Sequence, residues 1–259
     1  MRNKYFIMTS KIALVTGGSR GLGKDMALSL AKKGIDVILT YHSKKDEAQQ
    51  VVAGVEQLGR KGAALHFDAS DISRLDSFVT EVSNTLQSNW QSKKFDYLIN
   101  NAGIGATKAI PDVTMDLFDH LMNIHYKGVY FLTQKCIPLL NDNGGVVFIS
   151  SGSTRNSVPG YSVYASLKGA IEVLTKYVAK ELGPRGIRAN VVAPGPIETD
   201  FNNAAIRNSP EMQQRMAANA ALGRVAHADD VGSVVAFLCT EDAKWINGQR
   251  IEVSGGMAL

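Results

Sequence analysis

A chain of 259 residues with 45% hydrophobic and 20% charged residues has ample material for a core, and its composition is not that of a disordered protein. Its net charge of +4 comes from isolated basic pairs with acids between them: Lys32-Lys33, Lys44-Lys45, Arg60-Lys61 and Lys93-Lys94. No run of about five to eight basic residues appears, which argues against nucleic acid as a partner, and no stretch approaches a membrane span.

The N-terminus, "MRNKYFIMTSK", holds only four apolar residues in succession, short of a signal-peptide core. Residues 1–10 are therefore expected to be an extension, with residues 1–7 an appendage or the product of an upstream start before Met8. The two cysteines, Cys136 and Cys239, lie in apolar stretches without C-x-x-C or C-x-x-H spacing, as expected of free thiols in a reducing cytoplasm. His120 and His125 fall about 140° apart round a helix, not in the i, i+4 arrangement of a zinc pair, so no metal is expected.

Along the chain, short β-branched runs alternate with segments of helical period. The first run, "KIALVT" (11–16), leads directly into "TGGSRGLG" (16–23) and the helix "KDMALSLAKK". The glycines fall at 17, 21 and 23, so the strict G-x-G-x-x-G fingerprint is absent. Strand, glycine turn and helix in that order are still what a pyrophosphate needs: backbone can approach it closely, and the helix N-terminus offers free amides and a positive dipole. Gly34 closes this helix after Lys32-Lys33.

The second run, "DVILTY" (36–41), reports on the dinucleotide. An NAD site usually places Asp or Glu at this strand end to hold the ribose hydroxyls. Here Thr40, Tyr41, His42, Ser43, Lys44 and Lys45 precede the first acid, Asp46. With Arg20 in the glycine loop, these groups suit the roughly −2 charge of a 2′-phosphate. NADP(H) is expected over NAD(H), which stays open as the alternative.

Further strands are expected at "AALHF" (63–67), "DYLIN" (96–100), "GVVFIS" (145–150), "IRANVVA" (187–193) and "RIEVS" (250–254). Seven strands separated by helices imply an α/β, doubly wound Rossmann domain over residues 11–259, its parallel sheet covered on both faces. Gly183-Pro184 ends the helix that carries Lys180. Residues 200–224 interrupt the rhythm, with Ile206, Met212 and Met216 spaced along them. They read either as packed surface helices or as a substrate lid.

In "GYSVYASLKGA" (160–170) two tyrosines precede Lys168. Tyr164 is one helical turn from it, whereas Tyr161 is two turns away, about 10.5 Å of rise. Tyr-x-x-x-Lys also occurs at Tyr41 and Lys45, so spacing alone is weak. Tyr164 differs because "VVFISSG" ends a strand at Ser150-Ser151 thirteen residues earlier, at the sheet edge where ligands bind in this architecture. A nearby ammonium favours phenolate and would lower a tyrosine pKa towards the range of a general acid or base.

These stretches together resemble the short-chain dehydrogenase/reductase family. The likeness runs from Lys11 to Gly256 through "TGGSRGLG", "NNAG" (100–103), the Asn of "MNIHYKG", "ISS", "YASLK", "VVAPGPIETD" (191–200) and "NGQRIEVSGG" (247–256). The resemblance implies Tyr164 as acid/base and Lys168 as the residue that lowers its pKa and holds the nicotinamide ribose. It also implies that Ser151 binds the substrate oxygen and that Asn123 supports a proton relay through water; Ser150 is not the catalytic serine. For the cofactor it implies Gly17, Ser19, Arg20, Gly21, Leu22 and Gly23 in the turn, with Thr40, His42 and Ser43 near the 2′-phosphate. Asp68 and Ala69 would flank the adenine, Asn101, Ala102 and Gly103 the ribose, and Pro194, Gly195, Ile197 and Thr199 the nicotinamide. Asn100 resembles the family asparagine that ties strands together.

The activity implied is hydride transfer between a nicotinamide and a ketone or secondary alcohol, in a cytoplasmic homotetramer. A 3-oxoacyl substrate is one candidate, for which Arg185 could dock an acidic carrier. A non-catalytic dinucleotide sensor and an NAD-dependent alcohol dehydrogenase are the alternatives. Small-molecule carbonyls or alcohols are the expected partners.

Overall fold

The computed structural model describes residues 10–259; the expected extension lies, except for Ser10, outside the described residues. One parallel sheet runs through the molecule in the order β3-β2-β1-β4-β5-β6-β7. Its strands are β1 (Ile12–Val15), β2 (Asp36–Tyr41), β3 (Gly62–His66), β4 (Phe95–Asn100), β5 (Leu140–Ile149), β6 (Arg188–Pro194) and β7 (Arg250–Val253). The chain reverses its direction of winding between β1 and β4, which opens a crevice at their C-terminal ends.

Alternation along each strand feeds two cores. Ile12 and Leu14 of β1 belong to one, Ala13 and Val15 to the other, as the period of two requires. Above one face lie α1 (Gly21–Lys32) and α2 (Lys45–Gln57), with α9 (Ala228–Leu238) beside α1. The other face is covered by α3 (Leu75–Trp90), α5 (Gly128–Cys136) and α6 (Ser162–Leu182). Between these helices the chain also forms α4 (Met115–Met122), α7 (Phe201–Ala204) and α8 (Pro210–Ala218).

The expected strands fall within a residue or two of those observed, apart from β5, which starts at Leu140 and not at Gly145. Leu140 pairs with Phe95, the register then shifts, and Asn143 takes a positive φ of 62°. Such a bulge is invisible to a pattern of alternating hydrophobicity. Gly34 (φ 83°) follows α1, and α6 stops at Leu182 before a turn over Gly183–Arg185, as expected.

Helix α6 positions the chemistry. Tyr164, Leu167, Lys168, Ile171, Thr175, Ala179 and Leu182 form one buried stripe along it, with the 3-4 spacing of a core-facing helix side. Lys168 stands on that stripe, so folding the apolar residues inward carries its ammonium inward too. Burial of Leu167 and Ile171 stabilises the placement by about 1.5–3 kcal/mol each. Before α5 the helix widens into a π turn over Asn123–Lys127, a rare form that often marks a functional position.

Candidate functional site

At the crevice the glycine-rich turn is locked by its own geometry. Gly17 has a φ of 66°, and a Cβ there would stand 3.0 Å from the Ala102 Cα. A Cβ on Gly23 would overlap the Gly17 carbonyl oxygen and sit 2.6 Å from Asn101 Nδ2. No residue with a side chain fits either place without displacing backbone. Gly21 (φ 53°) faces Thr199, and a Cβ there would reach Thr199 Cβ at 3.5 Å. Thr199 thereby covers the turn from the far side of the crevice.

Hydrogen bonds then join the turn to its neighbours. Thr16 Oγ1 accepts from the amides of Asn101 and Ala102, both at 3.0 Å. Asn101 Nδ2 donates to the carbonyls of Thr16 (2.9 Å) and Gly17 (3.2 Å). Asn101 therefore ties β1 to β4, the part expected of Asn100; Asn100 Nδ2 instead donates to Thr133 on α5. Thr40 is buried, its hydroxyl accepting from Gly17 N at 3.0 Å, so it shapes the turn from beneath.

Of the other nucleotide-site residues, Ser19 is buried and Leu22 packs partly against the core, while Arg20 is exposed at the N-cap of α1. His42 and Ser43 are exposed just past β2. His42 Nε2 lies 3.5 Å from Asp68 Oδ2, bringing the expected phosphate and adenine sides together. Burial opposes charge on Asp68, but bonds from the Ser70 hydroxyl and amide, with His42 and His66, outweigh it and hold the carboxyl below its usual range. Ala69 packs beside α5. Pro194 ends β6, Gly195 presses on Ser254, and Ile197 bridges to Ala226, so that segment crosses the mouth of the crevice towards Thr199. The fit to a dinucleotide is specific: glycine is required where backbone must approach backbone, and the amides of a twelve-residue helix open onto the gap.

Beyond the turn, Tyr164 and Lys168 lie buried one turn apart, with Lys168 Nζ 5.6 Å from the Tyr164 ring centroid. Lys168 Nζ also donates to the Ile149 carbonyl at 2.8 Å. Ser151 follows β5 and accepts at Oγ from Ser153 N (3.2 Å) and Ser153 Oγ (2.9 Å). Its own hydrogen is therefore left to donate. Ser150 turns away: its hydroxyl donates to Glu172 at 2.6 Å, and Glu172 also receives Thr154 (2.9 Å) and Arg250 (2.8 Å).

Burial sets the protonation of this pair. It pushes the Tyr164 phenol up to about 12, with Ser151 acting the other way, and lowers the Lys168 ammonium to about 8. A lysine-depressed phenol was expected; in the protein alone desolvation outweighs the neighbouring charge. Tyr161 packs edge-on to Tyr164 at 6.0 Å, and Phe201 approaches at 6.2 Å. Asn202 Nδ2 donates to the Tyr161 hydroxyl at 3.3 Å, holding α7 against this aromatic wall. Asn202, Asn203 and Ala204 all have positive φ, so α7 is a left-handed turn, and nothing in α8 is fully buried.

Asn123 opens the π turn that packs against α6, its carbonyl accepting the bond from Gly128. In the same turn His125 is 1% exposed and edge-on to Tyr164 at 5.1 Å, with Nε2 2.9 Å from the Ile104 carbonyl oxygen. Burial first, and Lys168 second, lower its pKa to about 3. In the sequence it counted only as too far round from His120 to share a metal.

The reversal of the sheet, the glycine-locked turn and the helix N-terminus at its mouth define a doubly wound nucleotide-binding protein. Residues 17–258 match the family model described as Enoyl-(Acyl carrier protein) reductase. The hydroxynaphthalene reductase-like protein Arp2 of Metarhizium brunneum is 34% identical, over 96% of this chain and 95% of that one. Among solved structures, the promiscuous reductase LugOII, which catalyses keto-reduction at C1 during lugdunomycin biosynthesis, superposes with a TM-score of 0.92 at 34% identity. That match covers 97% of this chain and 99% of LugOII. The angucycline C-6 ketoreductase LanV, solved with bound NADP, gives 0.91 at 32% identity over 96% of each chain. The chain belongs to the short-chain dehydrogenase/reductase family and is an NAD(P)-dependent oxidoreductase of the carbonyl–alcohol type. Among the described residues no helix is long and apolar enough to cross a membrane.

Proposed function

We propose that this chain is an NADP(H)-dependent ketone reductase in which Tyr164 gives its proton to the oxygen that becomes the alcohol. The observation that carries the reading is the buried pair of Tyr164 and Lys168 beside the free hydrogen of Ser151, at the C-terminal edge of the sheet. A phenol near 12 keeps its proton throughout the neutral range, the form that reduction consumes. Ser151 donates to the same substrate oxygen and steadies the negative charge developing there. Lys168, charged below about 8, adds a positive field behind Tyr164. The nicotinamide, when bound, supplies the hydride.

NADP(H) is favoured by Arg20 and Ser43, exposed on either side of the crevice mouth with His42, and by the NADP held in LanV. A tighter measured affinity for NAD(H) would overturn this. A ketone on a flat aromatic framework is the substrate class that fits best: Tyr161, Tyr164 and Phe201 present rings towards one another within 6.2 Å, and Arp2 is named for a hydroxynaphthalene. The acyl-carrier alternative loses the support of Arg185, which is engaged by Asp142 (2.8 Å) and the carbonyls of Ile137 and Leu140. Residues 200–224 serve in this reading as the substrate wall and lid. Homotetramer formation in the cytoplasm completes it, supported by exposed Tyr130, Val173 and Tyr177 on α5 and α6 and by two buried free thiols.

The decisive experiment follows NADPH absorbance with a panel of aromatic and aliphatic ketones, for the wild type and Tyr164→Phe. General acid catalysis contributes about 10²–10⁴-fold, so Tyr164→Phe should lose at least that much turnover while binding NADPH normally. An active Tyr164→Phe protein would sink the assignment.

A further inference from the structure

Glu172 lies on α6 one turn beyond Lys168, about 40° further round the helix, and the scheme above gives it no part. Its Oε1 accepts three hydrogen bonds, from Ser150 Oγ (2.6 Å), Arg250 Nε (2.8 Å) and Thr154 Oγ1 (2.9 Å). Burial opposes charge on this carboxyl, but the bonds from Ser150, Arg250 and Thr154 outweigh it and hold the group below its usual range. It is therefore ionised at neutral pH, and a bond to an ionised acceptor is about twice as strong as a neutral one.

Two of those donors flank Ser151 in the chain. Ser150 precedes it, and Thr154 ends the short turn over Gly152–Thr154 that follows it. Thr154 has one hydroxyl hydrogen and two acceptors in reach, Glu172 and the Ser151 carbonyl oxygen at 3.0 Å. Arg250, on β7, covers the one left over: its Nη2 stands 3.1 Å from Thr154 Oγ1 and 3.4 Å from the Ser151 carbonyl oxygen. The backbone of Ser151 is thus held from α6 on one side and from β7 on the other, while Ser153 fixes its hydroxyl. Since α6 also carries Tyr164 and Lys168, one helix places both of the groups that meet the substrate oxygen.

We propose that Glu172, with Arg250 behind it, is a positioning residue for the reduction: by holding Ser150 and Thr154 it sets where the Ser151 hydroxyl stands relative to Tyr164, so that both hydrogens converge on one substrate oxygen. The inference rests on the roles given to Tyr164 and Ser151 above. A misplacement of about 1 Å in such a pair can cost about 10²-fold in rate. Glu172 itself meets neither substrate nor nicotinamide and exchanges no proton; it acts through Ser151.

The test uses the full chain with NADPH and a ketone of the panel above, and combines Glu172→Leu, Glu172→Gln and Thr154→Val with Ser151→Ala. Glu252 also holds Arg250, so Glu172→Leu strands no bare cation, and Thr154→Val deletes one hydroxyl of the network without touching the ion pair. Glu172→Leu should lower kcat about 10- to 100-fold and Thr154→Val about 3- to 10-fold, both within the about 10²–10³-fold that one transition-state donor contributes, with KM for NADPH kept within about twofold. An amide oxygen still accepts from both hydroxyls, so Glu172→Gln should stay within about threefold of the wild type. In the Ser151→Ala background the same changes should alter kcat by less than about twofold, because a residue acting through Ser151 has nothing left to position. Amide hydrogen exchange over residues 150–154, which needs no substrate, should quicken in Thr154→Val while exchange over 17–23 stays as in the wild type. Equal losses in both backgrounds, a Glu172→Gln protein no faster than Glu172→Leu, wild-type kcat in Glu172→Leu, or unchanged exchange over 150–154 would each overturn the proposal. If Tyr164→Phe and Ser151→Ala lose their rate while Glu172→Leu keeps it, only this inference fails; if either of the first two stays fully active, the reading beneath it fails too.

Discussion

At the glycine-rich turn the strained positions Gly17 and Gly21 are glycines, and the Thr16 hydroxyl has three backbone partners. Around Tyr164 the arrangement is the reverse. His125 Nδ1 has no partner, Tyr164 and Lys168 are both displaced from their ordinary pKa by burial, and Asn202, Asn203 and Ala204 carry positive φ without being glycine. One end of the crevice is over-determined backbone that recognises a shape. The other keeps polar side chains in surroundings that penalise their charged or unpaired forms, as sites of proton transfer do. The contrast predicts that changes at the first end act through stability and cofactor binding, and changes at the second through rate.

Gly23→Ala should produce the largest effect of the first kind. Its Cβ would overlap the Gly17 carbonyl oxygen, so either the turn or the start of α1 must move. Overpacking of this kind costs up to about 3 kcal/mol or more, near a 10 °C fall in Tm at this chain length. Fluorescence titration should show NADPH affinity falling with it. Unchanged affinity would mean that the turn is not the nucleotide cradle.

The pH profile probes the second end. Lys168 is charged below about 8 and loses its proton above it, whereas Tyr164 keeps its proton up to about 12. Reduction should therefore be level through neutral pH and fall about tenfold per unit once pH exceeds about 8. In Lys168→Met that limb should vanish along with most of the rate. A limb that persists in Lys168→Met belongs to another group.

Thr16→Val returns to the first end with a smaller effect. The side-chain volume is nearly kept, but the Ala102 amide loses its acceptor at 3.0 Å and the Asn101 amide keeps only the Ile99 carbonyl at 3.1 Å. Unmade buried hydrogen bonds cost about 1–3 kcal/mol, so a Tm lowered by several degrees is expected, with kcat on saturating NADPH nearly unchanged.

The same contrast explains what could be read from the sequence. The strands, the turn and the Tyr164–Lys168 spacing were legible because each is a local pattern: alternation, glycine spacing and one helical turn. The direction of the tyrosine's shift was not, since it depends on how much water the packed α6 stripe excludes, not on the charge four residues away. The exchange of roles between Asn100 and Asn101 turns on which amide faces Thr16 and Gly17, and His125 turns on the phase of a helix that a π turn has reset. Neither quantity is written in any short stretch of residues.

Phe201 offers the finest test, because it stands at the open side of the catalytic end where the contrast is weakest. The ring is 43% exposed, so its truncation removes little core, and a stability change within about 0.5 kcal/mol is expected. It nevertheless approaches Tyr164 at 6.2 Å, where an aromatic ketone held for proton transfer would meet it. Aromatic pairing is worth about 0.5–1.5 kcal/mol beyond burial, so Phe201→Ala should raise KM about two- to tenfold for an aromatic ketone and leave KM for a small aliphatic ketone unchanged. An equal rise for both would make Phe201 a general wall of the cleft and remove the aromatic preference from the substrate assignment. A lost kcat with unchanged KM would instead place the ring's influence on Tyr164 itself.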